Sequence, residues 1–283
     1  MINNMHPIVR DAFENSMKNY DFKSSIKDKK LSVTTLSDSP HIQWLRENNP
    51  PLPQPLDRLM YLVFGNATHY LMEQAGSKYS TEHRLSVEIG GWEISGKYDF
   101  FDFNTNLLFD FKYVTKYTQK AKQEYVAQSN ILRYLIYKTM GIKPAGGMLI
   151  KFYRDWQFKD KFQHDMPDSP IEYEILPDWS IEFTEKYILD RIKVFESYNP
   201  EVGMCTPNEK WERPTTYALK GPNASRARKV CSSYSEALEH KKPTETIEIR
   251  QGEDGRCENY CDVNSYCKYY IGKQGGSFKN YMS

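Results

Sequence analysis

The chain has 283 residues, 38 basic against 37 acidic side chains, and a formal net charge of +1, so overall charge neither announces nor excludes a nucleic-acid partner. Aromatic side chains make up 14% of it, which excludes a disordered chain. Mean hydropathy is −0.72, and no apolar run reaches the length of a membrane-spanning helix.

The size allows one large domain, or one domain with a small appendage. The start, Met1-Ile2-Asn3-Asn4, lacks the apolar core of a signal peptide. The expectation is therefore a soluble, cytoplasmic protein with no membrane partner.

Residues 1–30 read as polar and helical, with Lys27 to Lys30 as a charged, solvated run. Pro40 opens a short helix over His41 to Glu47. Asn49-Pro50-Pro51-Leu52-Pro53-Gln54-Pro55 reads as a stiff linker. Leu56 to Gln74 forms an amphipathic helix, with Leu59, Leu62, Val63 and the Tyr70/Leu71 pair on its apolar spacing. Leu85, Val87 and Ile89 alternate with polar residues, as does Trp92 to Ser95, and Gly90-Gly91 between them signals a hairpin. A third strand runs from Tyr98 to Phe103, and Asn104-Thr105-Asn106 turns the chain into a fourth, Leu107 to Val114.

Gln119 to Met140 is a long helix ending at Gly141. Gly147 to Tyr153 and Ile171 to Leu176 are strands, the second at an edge, and Trp179 to Tyr198 is a last long helix. This order predicts an α/β fold with a central mixed sheet flanked by helices. The domain reading is an N-terminal helical segment and linker over 1–55, a core over 56–199 and a small cysteine-bearing domain over 200–283.

The chemistry concentrates in Gly96-Lys97-Tyr98-Asp99 and Leu108-Phe109-Asp110-Phe111-Lys112. Asp99 and Asp110 lie on adjacent strands joined by a tight turn. Asp110 and Lys112 share a strand face, because side chains repeat every two residues. Paired carboxylates hold a divalent cation such as Mg²⁺ or Mn²⁺, and a neighbouring ammonium offsets charge on a phosphate. That combination suits phosphodiester hydrolysis. Asp102 is a rival to Asp99 three positions on.

With these residues in order, the chain resembles the PD-(D/E)xK nuclease superfamily, in its RecB-like exonuclease branch. Gly65-Asn66-Ala67-Thr68-His69 matches the branch's Gly-x-x-x-His, Asp99 its first acidic position and Asp110-Phe111-Lys112 its D-x-K core. Gln128 matches the glutamine of the following helix; Leu132 stands where the branch often has tyrosine. The resemblance covers about residues 30–200 and implies a restriction-endonuclease-like core. It also implies that His69, Asp99, Asp110 and the Phe111 carbonyl bind Mg²⁺ or Mn²⁺, with Lys112 positioning or deprotonating the attacking water. Glu73, Glu88, Tyr125 and Arg133 are auxiliary candidates.

The implied partner is DNA, single-stranded or with free ends. The implied setting is phage or bacterial replication, recombination or repair, in the host cytoplasm if phage-encoded, alongside proteins of those processes. A structure-selective endonuclease and a non-catalytic DNA-binding module remain alternatives.

All five cysteines follow residue 200. Cys257-x3-Cys261-x5-Cys267 is a compact triplet needing a fourth ligand for zinc or a cluster. Cys205 is favoured for that role and Cys231 for packing. Some members of the resembled branch carry a 4Fe-4S cluster on three C-terminal cysteines and a distant one, though there the distant cysteine precedes the core. Arg226, Arg228 and Lys229 form a basic patch that a DNA backbone could follow.

Overall fold

The computed structural model describes residues 22–52, 56–75, 80–118 and 120–274. The chain divides into two compact units, one of residues 1–48 with 53–199, the other of 49–52 with 200–283. Residues 1–21 and 53–55, on which the N-terminal helical expectation and part of the linker fall, lie outside the described residues.

The first unit is built in the order β1 (Lys30–Ser32), α1 (Val33–Leu36), α2 (Pro40–Asn48), α3 (Leu56–Glu73), β2 (Ser80–Ile89), β3 (Trp92–Asp102), β4 (Leu107–Val114), α4 (Gln123–Met140), β5 (Gly146–Tyr153), β6 (Ile171–Ile175) and α5 (Ile181–Glu196). The sheet runs β1-β3-β4-β5-β6, with β2 on the other edge of β3. β1 is parallel to β3 and β4 to β5; the other pairs are antiparallel. This is the mixed α/β architecture of a restriction-endonuclease-like core.

Two readings change. Residues 22–30, the described part of the segment read as helical, hold no helix, and Lys30–Ser32 is a strand of the central sheet. Ser24 fixes it by accepting the Ser32 amide, and Leu31 is fully buried. The two short strands expected on either side of Gly96 are one continuous strand, β3. Gly90 and Gly91, with φ of 58° and 75°, make the hairpin turn before it, in a conformation that glycine adopts without a Cβ clash.

The main core lies between the sheet and helices α4 and α5. Leu31, Ile94, Tyr98, Phe101 and Leu108 from the strands meet Ile131, Leu135, Ile136, Ile188 and Ile192. A smaller cluster of Phe100, Phe111 and Ile150 packs against Met72 of α3. Tyr70 and Leu71, expected on the apolar face of α3, are exposed; Met72 and His69 are the residues of its last turns that reach the sheet. The Leu59 and Leu62 side chains lie outside the described residues.

Gly96 sets how closely α4 approaches. A Cβ there would stand 2.5 Å from Leu132 Cδ2 and 2.7 Å from Val33 Cγ2. We expect Gly96→Ala to lower stability by roughly 1–3 kcal/mol through overpacking. An unchanged urea midpoint would show that the α4 contact gives way freely.

The second unit contains α6 (Pro207–Lys210), β7 (Glu212–Arg213), β8 (Thr216–Lys220), β9 (Lys229–Cys231), α7 (Tyr234–His240), β10 (Thr246–Arg250), β11 (Glu253–Asp254), α8 (Gly255–Asn259) and α9 (Lys268–Lys273). The sheet β10-β8-β9 buries Leu219 and Cys231 against Ala237 of α7. Arg228 donates to both oxygens of Glu245 at 2.5 and 2.8 Å and to the His240 carbonyl, while Lys229 lies 3.4 Å from Glu236. These two basic side chains are paired within their own unit, while Arg226 is exposed.

No helix among the described residues is long and apolar enough to cross a membrane.

Candidate metal centre

The site sits where the sheet parts. Along one edge of β3 the ladder with β1 covers Glu93–Ser95 and the ladder with β4 covers Phe100–Asp102. Gly96–Asp99 lie between those two ladders. β4 meanwhile continues beside β5 as far as Val114. At the fork the Asp99 side chain substitutes for the missing strand pairing: its Oδ2 accepts the Phe111 amide at 2.8 Å. A carboxylate thereby satisfies a backbone donor that the ladder would otherwise have used.

Asp110 stands next to Phe111 on β4. Its Oδ1 accepts from Lys112 Nζ at 2.7 Å, while its Oδ2 is buried with no hydrogen-bond partner. A buried, unpartnered carboxylate oxygen is costly unless something else satisfies it. The Lys112 ammonium also lies 5.3 Å from the centre of the Tyr125 ring on α4, a cation–π contact. Gln128 lies one helical turn beyond Tyr125 and is half-buried.

His69, from α3, completes the group. Its Nδ1 is 3.0 Å from Glu82 Oε1 and 3.6 Å from Asp99 Oδ1, and its ring meets Phe111 edge-on at 6.1 Å. Ligand atoms of His69, Glu82 and Asp99 all fall within 4.8 Å of one another. Glu82 is absent from the sequence-derived set. A countable signal points to it: a hairpin folded about Gly90-Gly91 puts residue 82 opposite residue 99.

Electrostatics match this crowding. Burial, then the Asp110 charge, push the Asp99 carboxyl up to about 6 against the opposing pull of Lys112 and His69. Burial works against the charge on Lys112, yet Asp110 and Asp99 outweigh it and hold its pKa above the usual lysine value. Burial likewise opposes a charged His69, but its bond to Glu82 and the Asp99 charge raise its pKa overall.

The Asp99 shift has a stability consequence. An unfolded aspartate titrates near 3.9, so between about pH 4 and pH 6 the native state carries a proton that the unfolded chain has lost. The contribution of Asp99 to stability is thus greatest below about pH 4 and is lost as pH rises through about 6. In metal-free protein, the difference in urea midpoint between wild type and Asp99→Asn should shift in favour of wild type as pH falls from 7 to 5. A difference independent of pH would contradict the assigned environment.

Several expected participants stand elsewhere. Asp102, the rival to Asp99, shapes the β3–β4 turn by accepting from the Asn104 amide and the Thr105 hydroxyl. Arg133 is buried and binds Asn130, Asp178 and the Pro144 carbonyl, which fixes the ends of α4 and β6 rather than a ligand. Glu73 is exposed at the end of α3. Glu88 is exposed and faces Glu93 across the hairpin.

The five cysteines are thiols. Cys257, Cys261 and Cys267 are buried, Cys205 partly so. Burial, with Cys261, Asp254 and Cys267 nearby, pushes the Cys257 thiol up to about 11. Cys231 packs in the core of its sheet, as its apolar setting implies.

No family model matches the chain, and no curated protein matches it in sequence. Among solved structures, the crystal structure of SSO0001 aligns at a TM-score of 0.47 and 14% identity, over 68% of this chain and 89% of that one. A protein from Eubacterium rectale named "Putative exonuclease" aligns at a TM-score of 0.29 and 12% identity, over 49% of this chain and 48% of its own. At these scores neither likeness bears on what the site does.

Proposed function

We propose that this chain is a metal-dependent nuclease that hydrolyses DNA phosphodiester bonds from free ends, on a RecB-like PD-(D/E)xK core. The observation that supports it best is the buried Asp110 Oδ2, without a partner, on a carboxylate that holds Lys112 and whose charge acts on Asp99. The donor set of carboxylates and one imidazole fits Mg²⁺ or Mn²⁺, which take oxygen ligands and, for Mn²⁺, imidazole.

His69, Asp99, Asp110 and the Phe111 carbonyl are the residues that hold the cation. When bound, it supplies Lewis acidity toward water and charge neutralisation at the phosphate. Asp99 has a second duty, since its bond to the Phe111 amide fixes the backbone at the fork. Lys112 is held charged by its neighbours, so it acts as a fixed positive charge toward the scissile phosphate and not as the base that takes a proton from water. Tyr125 and Asp110 clamp that ammonium in place. Gln128, on the same helix as Tyr125, belongs to the DNA-facing part of this reading.

In the second unit Cys257, Cys261 and Cys267, with Cys205 as fourth ligand, hold a 4Fe-4S cluster or zinc. Three buried thiols, with the Cys257 thiol pushed up by burial and by Cys261, Asp254 and Cys267 nearby, suit a soft cation, which removes their protons on binding. The process served is DNA replication, recombination or repair in a phage or bacterial setting.

The test uses the full chain with Mn²⁺, end-labelled linear DNA and a covalently closed circle. Release of nucleotides from the linear DNA alone is the expected result. Cutting of the circle would move the assignment to a structure-selective endonuclease. Binding of DNA without any cutting, in metal-replete protein, would leave a DNA-binding module.

A further inference from the structure

Glu82 combines two observations that the nuclease reading does not use. The β2–β3 ladder is regular on both sides of it, with Thr81 paired to Phe100 and His83 to Tyr98. Between them Glu82 and Asp99 face each other, unpaired. There Glu82 takes a left-handed backbone, φ 50°. A residue with a Cβ is disfavoured in that conformation, and such outliers persist where the surroundings impose them, often at functional sites.

The kink lies opposite a visible slip in β3. In β3 the core-facing positions run Trp92, Ile94 and Tyr98, then slip by one to Phe101, while Phe100 joins the opposite cluster. The slip spans Asp99. Without it Asp99 and Glu82 would be one more cross-strand pair in a regular sheet. With it, both carboxylates turn to the same nitrogen of His69, at 3.6 and 3.0 Å. The other Glu82 oxygen is bound by Lys97. Lys97 thus fixes the carboxylate's rotation and leaves Oε1 for the site. Neighbouring ligands around an octahedral ion with bonds of about 2.1 Å stand roughly 3 Å apart, close to the separation of His69 Nδ1 and Glu82 Oε1.

We propose that Glu82 is a direct ligand of the same divalent cation as His69 and Asp99, its carboxylate delivered by the strained backbone opposite Asp99. This rests on the metal-dependent reading of the site and extends its ligand set by a residue on β2. Lys97 is then a positioning residue that acts through Glu82.

The experiment follows Mn²⁺ alone, without DNA, by electron paramagnetic resonance on the full chain. Glu82→Gln is expected to weaken Mn²⁺ binding by about tenfold or more, within the range seen when support for a metal ligand is lost. Glu82→Gly, whose backbone adopts the kink without strain, should weaken it equally and serves if the glutamine variant folds poorly. Glu82→His separates ligation from support, since histidine tolerates the left-handed backbone and brings its own nitrogen. Pulsed spectra of bound Mn²⁺ should then show two imidazole nitrogens in place of one.

Folded Glu82→Gln or Glu82→Gly protein that binds Mn²⁺ within twofold of wild type would overturn the proposal and leave the nuclease reading standing. A single imidazole signal in Glu82→His would overturn direct ligation in the same way. Wild-type protein that binds no Mn²⁺ would overturn both readings together.

Discussion

Asp110→Asn should slow release of nucleotides from linear DNA by at least roughly a thousandfold, equivalent to about 4 kcal/mol of barrier, while leaving the protein folded. Asparagine keeps an oxygen to accept from Lys112 Nζ, as Asp110 Oδ1 does. It lacks the anionic oxygen that stands buried and unpartnered. The loss should appear in Mn²⁺ affinity as well as in rate. Stability should change little, because the substitution also removes a negative charge that, after burial, contributes to raising the Asp99 carboxyl. Measured Mn²⁺-dependent cleavage within tenfold of wild type would remove Asp110 from the ligand set.

Lys112→Met should lower the cleavage rate by roughly 10²–10³-fold, the usual effect of deleting one charge-stabilising donor, but with the opposite sign on metal binding. Lys112 neutralises Asp110 at 2.7 Å and lowers the pKa of Asp99. Without it the Asp99 and Asp110 carboxylates repel each other with only His69 to offset them, and a divalent cation relieves more repulsion than before. Tighter Mn²⁺ binding together with a lower kcat is therefore the signature. The two substitutions separate roles that adjacent residues in one D-x-K motif would otherwise share. Weaker Mn²⁺ binding in Lys112→Met would mean that the lysine organises the ligands instead.

Much of the fold is legible in local signals. Gly90-Gly91 announces the hairpin, and Gly141, with φ 70° and its amide bonded to Tyr137 O, ends α4. The alternation of Leu108, Asp110 and Lys112 places the last two on one side of β4. What escapes has a tertiary origin. Lys30–Ser32 is too short to show a period, and its strand character comes from docking on β3. Arg133 looks like a phosphate contact in sequence because nothing local shows its partner Asp178, 45 positions away. The choice between Asp99 and Asp102 depends on which one the fork exposes, and the β3–β4 turn takes Asp102 for its own hydrogen bonds.

Glu82 is the instructive case. Spacing from His69 draws attention to Glu73, and proximity to the turn draws it to Glu88; both are exposed. Counting back from the glycine pair identifies the residue that faces Asp99. Counting alone does not reveal the kink that turns its carboxylate toward His69.

The most direct test is anomalous diffraction from crystals of the full chain grown with Mn²⁺. The account predicts a manganese peak at the fork between β3 and β4, bounded by His69, Asp99 and the free oxygen of Asp110. A well-ordered crystal in saturating Mn²⁺ with no peak there, or with manganese bound only elsewhere on the chain, would contradict it.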